Sequence, residues 1–281
     1  MKQAFDRFLL ASSLLALPMV SHAQAVTESP SNLTGNIALT TNYKFRGQDQ
    51  DLLGHNDFAK DQAVKPALQG GFDYAFGSTG LYVGNWNSSV NWLAGNALEM
   101  DFYGGYKFKG GPIDWDVGVM RYVYPGNSAG DTTEIHGAGT WADAQLGAIT
   151  ARYALTVSKD YFNYAGNKGG SGLDGTHTGY LNLAYAKEIV PRVTLKAALG
   201  YTFFASDIRQ LGYKNYLDYN LGAAYDFGNG LSLGGYVQGG TEQSAFNLVS
   251  SPGIDSPAGS IGQATFSPNA TRFIVMLSKT L

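Results

Sequence analysis

The sequence predicts an all-β protein, a transmembrane up-and-down antiparallel β-barrel of about twelve strands. Three observations carry that expectation. Apolar and polar residues alternate with period two over segments about ten residues long, the length of a tilted membrane-crossing strand. The connections between these segments take turns being short and long. An export signal opens a chain that has no apolar run long enough for a spanning helix.

The export signal comes first in the chain. Lys2 and Arg7 precede an apolar stretch over residues 8–20, and Ser21-His22-Ala23 places small residues at the two positions a signal peptidase reads. Cleavage is expected before Gln24, which divides the chain into a signal peptide, 1–23, and a barrel domain, 24–281. Nothing beyond the signal reaches the roughly 20 consecutive apolar residues a membrane helix needs, and the mean hydropathy is -0.13. The composition is 37 Gly, 18 Tyr and 15 Phe, with only 15% charged residues and no Cys. Lack of cysteine excludes a disulfide-stapled secreted fold, thiolate metal sites and a thiol nucleophile. A net charge of -3 with no basic patch argues against nucleic acid as a partner.

The first strand sets the pattern for the others. Over residues 33–46 one face holds Leu33, Ile37, Leu39, Tyr43 and Phe45, and the other holds Thr34, Asn36, Thr40, Asn42, Lys44 and Arg46. Successive strand side chains point to opposite faces, so such a segment separates an apolar medium from a wet one. Further strands are expected over 67–76, 81–90, 97–108, 113–124, 134–144, 149–158, 176–187, 193–204, 215–227, 231–240 and 270–281.

Short connections fall at 77–80, 109–112, 145–148, 188–192 and 228–230, and Gly, Asn and Pro in them supply the dihedrals of tight hairpins. Long ones fall between, at 47–66, 91–96, 125–133, 159–175, 205–214 and 241–269. Short periplasmic turns and longer external loops give this alternation in a membrane barrel, whereas a soluble sandwich, the competing all-β fold, gives no such rule. Closure also removes the sheet edges that lipid does not tolerate. The pairs Tyr43/Phe45, Tyr106/Phe108, Tyr201/Phe203 and Tyr225/Phe227 sit on apolar faces near strand ends, as interfacial girdles do.

Several stretches together resemble one family. They are Phe45-Arg46-Gly47, the run from Lys65 to Tyr74, the run from Gly80 to Trp86, the run from Glu99 to Tyr106, and the run from Asp116 to Gly126. The chain from about Leu33 onward is similar to the TorF family of proteobacterial porin-like proteins. The resemblance implies an outer-membrane barrel and brings no substrate and no catalytic residue. One departure is the C-terminus, where Leu281 stands in place of the aromatic residue that usually ends such barrels for the insertion machinery, and Lys279 shares its face. Leu is a tolerable apolar substitute, and a lysine near the interface can snorkel.

The inward-facing charges are the candidate functional residues: Lys44, Arg46, Glu99, Asp101, Lys107, Arg152, Lys196, Asp218 and Arg272 are expected to line the lumen. Glu99 and Asp101, in phase on the fourth strand, are expected to pair with Lys107, Arg152, Lys196 or Arg272 rather than to bind a metal or do acid/base work. Asp114, Asp116 and Asp226 read likewise. A barrel lipase or protease would need a serine and a histidine in hydrogen-bond reach. His136, His177 and Ser158 could sit together near the outer strand ends, but no signature ties them, so no catalytic residue is expected. Residues 170–175 match a dinucleotide fingerprint that has meaning only between a strand and a helix, and here they lie in a loop. Asp49, Asp51, Asp57 and Asp61 read as solvated loop acids that could meet divalent ions at a lipopolysaccharide surface.

These features point to a channel for passive diffusion of small hydrophilic solutes in the outer membrane of a Gram-negative bacterium. Lipid and lipopolysaccharide surround it, the insertion machinery assembles it, and no cofactor or metal is needed. Selectivity would come from the width and charge of the constriction. Twelve strands imply a lumen between the side-chain-filled barrels of about eight strands and the open porins of about 16 to 18. The alternatives are a barrel enzyme, or a structural or adhesive barrel plugged by side chains or by an inward loop such as 241–269. Neither the solute nor the oligomeric state is legible in the sequence.

Overall fold

The structure, a computed structural model, describes residues 32–52, 64–249 and 265–281. The expected signal segment 1–23 lies outside the described residues, as do His55, Asp57 and Asp61. Twelve long strands form a closed antiparallel barrel. In chain order they are β1 (Leu33–Thr40), β2 (Ala67–Ala75), β3 (Leu81–Ser89), β4 (Leu98–Gly110), β5 (Ile113–Val123), β6 (Thr132–Asp143), β7 (Gly147–Thr156), β8 (Gly179–Val190), β9 (Val193–Phe203), β10 (Tyr216–Gly228), β11 (Leu231–Gly240) and β12 (Arg272–Thr280). Each pairs with its neighbour in sequence, and β1 closes the ring on β12 from Asn36↔Thr280 to Thr40↔Met276.

Alternation decides which side chain meets which medium. Ile37 and Leu39 on β1, Leu68 and Phe72 on β2, Leu181 and Leu183 on β8, and Leu221 on β10 are exposed on the outer surface. Their in-between neighbours Ala38, Thr40, Gln69, Tyr180, Asn182 and Asp218 are buried inside. The outer face is therefore an apolar band and the inner face is largely polar, the reverse of a water-soluble barrel. Tight turns close the rim at which β1 begins and β12 ends. Between β10 and β11 the turn is Asn229-Gly230, with φ of 51° and 74°, the left-handed pair that a two-residue hairpin demands. Lys279 on the outer face of β12 reaches back and donates to the Asn229 carbonyl at that rim.

The structure corrects the first strand. The expected span 33–46 breaks at Thr40, whose hydroxyl donates to the Asn42 carbonyl at 2.8 Å, and the chain then turns into the barrel. Residues Lys44–Phe45 pair with Gln48–Asp49 as a small hairpin of their own. Tyr43 and Phe45 are consequently buried inside and belong to no outer girdle. Four alternating residues fit a lumenal hairpin as well as a continuing strand, because period two carries no information about which sheet a segment joins. The other three aromatic pairs do stand on the outer surface near strand ends, with ring centroids 5.6, 4.6 and 4.9 Å apart.

An apolar exterior facing lipid has a measurable consequence. Leu199 lies mid-strand on the outer face of β9, opposite Leu183 and Tyr219. Leu199→Arg should lower the folding free energy in phospholipid vesicles by about 2–4 kcal/mol, read by urea titration of the heat-modifiable gel band. A change within about 0.5 kcal/mol, as at an ordinary wet surface, would mean that this face does not meet hydrocarbon.

Candidate functional site

The lumen is organised around the tip of the inward hairpin. Its two turn residues are Arg46 and Gly47, with φ of 48° and 76°. Glycine is required at the second position, since a Cβ there would come within 2.6 Å of the Gly239 carbonyl oxygen and 2.7 Å of the Asp218 Cβ. The tip is thus pressed against β10 and β11, three and two strands round the ring from β1. Arginine at the first position is unusual, because a non-glycine residue in this region costs about 1–2 kcal/mol. What holds it is its side chain.

The Arg46 guanidinium makes a bidentate pair with Glu134 of β6, Nη1 donating to Oε1 at 2.9 Å and Nη2 to Oε2 at 2.7 Å. The charged side chains are 5% and 1% exposed, so the pair is shielded from solvent and screened little. Nη1 also donates to the Tyr161 hydroxyl at 3.2 Å, and the guanidinium carbon lies 4.2 Å from the centroid of Tyr180 and 4.8 Å from that of Phe45. Burial pushes the Tyr161 hydroxyl up to about 12, so it remains a neutral partner. The Tyr122 hydroxyl donates to Glu134 at 3.2 Å, and the Tyr216 hydroxyl donates to the Arg46 carbonyl at 3.0 Å.

A second ionic cluster fixes the base of the hairpin. Lys44 lies 3.2 Å from Asp49 with both side chains fully buried, and Arg272 of β12 approaches the same carboxylate at 3.5 Å. Lys44 also donates to the carbonyls of Pro268 at 2.7 Å and Gly47 at 3.0 Å. Asp49 is therefore an interior counter-ion and not the solvated loop acid its sequence context implies.

Glu99 and Asp101 are buried on the inner face of β4, 1% and 2% exposed. The basic partners expected for them are not what they meet. Glu99 accepts from the Tyr43 hydroxyl at 3.2 Å, and Asp101 Oδ1 is buried without a hydrogen-bond partner. Asp218 of β10 accepts from the Tyr180 hydroxyl at 3.1 Å. Arg152 of β7 and Lys196 of β9 are buried inside, and half-buried Lys107 lies over the Tyr82 ring at 4.6 Å. Asp116 accepts from the Tyr82 hydroxyl at 2.8 Å, with His136 at 3.8 Å. Asp114 pairs with Lys109 at the wet rim, and Asp226 accepts from the Gly228 amide in a turn.

Above the hairpin, external segments supply an aromatic cap. Tyr124, Phe162, Phe204, Tyr216 and Phe246 are buried there, with Tyr164 and Tyr213 packed against them. Phe246 and Asn269 bring the described parts of the last long connection into the interior, where the Gln48 amide donates to Asn269 at 3.0 Å. Among the described residues, the hairpin that reaches Glu134 lies at the start of the first connection, and the last connection contributes a short pairing of Leu248–Val249 with Thr265–Phe266. The serine–histidine set is not assembled: Ser158 accepts from the Thr133 amide and donates to the Asp160 carbonyl, and His177 is exposed. Sequence reasoning missed Glu134, Tyr161 and Tyr180. An acid on an inner-face position of β6, in phase with His136, was the one available signal for Glu134.

Residues 24–259 match the model of a bacterial family of unknown function, Gcw_chp. The chain belongs to this family. No curated protein matches it. Among solved structures this Gcw_chp protein is similar to the KdgM porin at a TM-score of 0.50 and 10% identity, covering 88% of this chain and 98% of that one. The KdgM porin in complex with disordered oligogalacturonate gives 0.50 and 9%, covering 88% and 97%. A NanC porin gives 0.49 and 9%, covering 88% and 98%. At such identities the likeness to KdgM concerns the fold.

Seating of the hairpin depends on Gly47. Gly47→Ala should unseat the tip, so that chymotrypsin cleaves folded protein in detergent at Tyr43 or Phe45, sites protected in the wild type. Equal protection in both proteins would show that the hairpin tolerates a Cβ against β10 and β11.

Proposed function

We propose that this protein is a porin-like channel of the Gram-negative outer membrane that passes small hydrophilic solutes by passive diffusion. The observation that carries the reading is the inner face, where Glu99, Asp101, Glu134, Arg152, Lys196 and Asp218 project into a barrel whose exterior is apolar. Buried ionic networks add little stability and are commonly replaceable by apolar side chains without loss. A barrel serving only as an anchor has no need of them, while a solute path does. The porin-type fold supports this, as does the resemblance of residues such as Gly80 to Trp86 to the TorF family. An export signal over 1–23, removed to leave 24–281, would deliver the chain to the insertion machinery and to a membrane of lipid and lipopolysaccharide.

The same interior favours a channel that rests closed. Tyr122, Tyr124, Glu99 and Glu134 have almost no exposure although they face the lumen, so side chains fill the outer half at the level of the hairpin. Opening then requires the hairpin to leave. Were it to stay, a structural or adhesive barrel would be the better description.

Wild-type protein in planar bilayers should give discrete but infrequent conductance steps, and Gly47→Ala should raise the open time at least several-fold. Silence from both, with correctly folded protein, would reject the channel in favour of the plugged barrel.

A further inference from the structure

The contacts of Arg46 outline a cation site that is complete without Arg46. Glu134 offers both carboxylate oxygens and is held in place by the Tyr122 hydroxyl at 3.2 Å. Tyr161 presents a hydroxyl oxygen and Tyr180 a ring face. All four belong to the wall or to the external cap, and the hairpin contributes only the Phe45 ring. A carboxylate fork beneath an aromatic face is the arrangement that recognises a planar guanidinium, whereas an ammonium matches it poorly.

Two further observations indicate that the site is made for a cation rather than for one clasp. Asp101, the cross-strand partner of Tyr122, and Asp218, which binds the Tyr180 hydroxyl, are each more than nine-tenths buried. Each also keeps one oxygen without a hydrogen-bond partner. With Glu99 on the same wall, four buried carboxyl groups, Glu99, Asp101, Glu134 and Asp218, share the midsection with the buried cations Arg46, Arg152 and Lys196. The occupant, moreover, sits on a backbone conformation that arginine disfavours, as Asn229 does not at the matching turn.

We propose that the barrel midsection binds guanidinium-bearing solutes and that Arg46 is its resident competitor, displaced when such a solute enters. Binding concerns the site alone, and only the flux measurement rests on the channel reading.

The first test uses folded, full-length wild type and chymotrypsin. Methylguanidinium chloride should promote cleavage at Tyr43 or Phe45, and sodium chloride or methylammonium chloride at equal concentration should not. Cleavage that is equal in all three salts overturns the proposal. By calorimetry, Arg46→Ala should bind methylguanidinium and Arg46→Ala/Glu134→Gln should not; Arg46→Met replaces Arg46→Ala if the latter fails to give a heat-modifiable band. No binding by a folded single variant also overturns it. In wild-type proteoliposomes agmatine should enter about 10-fold faster than a neutral solute of equal size, about 1.4 kcal/mol of preference. Equal entry would reduce Arg46–Glu134 to a structural clasp and overturn the proposal. Promoted cleavage and binding with no flux of any solute would leave the site standing and reject the channel instead.

Discussion

Every other feature of this molecule follows from the requirement that no backbone amide or carbonyl be left unpaired in hydrocarbon. Eleven sequential hairpin or loop-linked pairings leave two free edges, and an open edge in lipid costs several kcal/mol per group. The β1–β12 seam removes both. It is extended beyond its ladder by the Thr41 amide donating to Val275 at 2.9 Å and the Leu281 amide donating to Gly35 at 2.8 Å, so the ring is sealed to both rims. Closure at twelve strands then fixes a circumference, and with it an interior too wide for wall side chains alone to fill. Something else must occupy that space, whether water or protein.

In the outer half the occupant is protein, and its composition follows from the medium. A hairpin inserted among polar walls brings its backbone groups with it. Lys44 satisfies the Pro268 and Gly47 carbonyls, and Tyr216 satisfies that of Arg46. The charges it carries are each matched, Arg46 by Glu134 and Asp49 by Lys44 and Arg272. Breaking one half of such a pair costs about 3–5 kcal/mol because the remaining charge is stranded. The same shielding makes the hairpin conditional: a solute that supplies an equivalent charge removes most of that penalty.

Most of the barrel was legible in the sequence because its determinants are local. Strand positions from 67 onward follow from alternation, and turns such as Asn229-Gly230 follow from dihedral demand, so expected and observed strands there differ at their ends by three residues or fewer. The hairpin was not legible for the opposite reason. Residues 43–46 continue the period of β1 faultlessly, and what redirects them is non-local: Glu134, Asp218, Gly239 and Pro268 lie far along the chain. The charged set was identifiable by type and phase, but not its pairing. Glu99 meets a tyrosine from the hairpin and Arg272 meets Asp49, because the inserted segment stands between walls that would otherwise face each other.

The strain at Arg46 is the most informative consequence of this arrangement. A two-residue turn of the same kind between β10 and β11 uses Asn-Gly, the pairing that its dihedrals favour. If the inward turn existed only to fill space, Asn-Gly would serve it better, and an apolar tip would avoid desolvating an ion pair. Arginine at this position is disfavoured by its backbone and is balanced by a carboxylate that must itself be buried. Both penalties fall on the closed state alone, since a withdrawn hairpin relaxes its dihedral and rehydrates its charge. The closed state is therefore held by a few strong, specific contacts in addition to the aromatic packing of Phe45 on Tyr122 and Phe162. A plug held in part by a buried ion pair responds to the charge of what arrives at it, which a plug held by apolar packing alone does not.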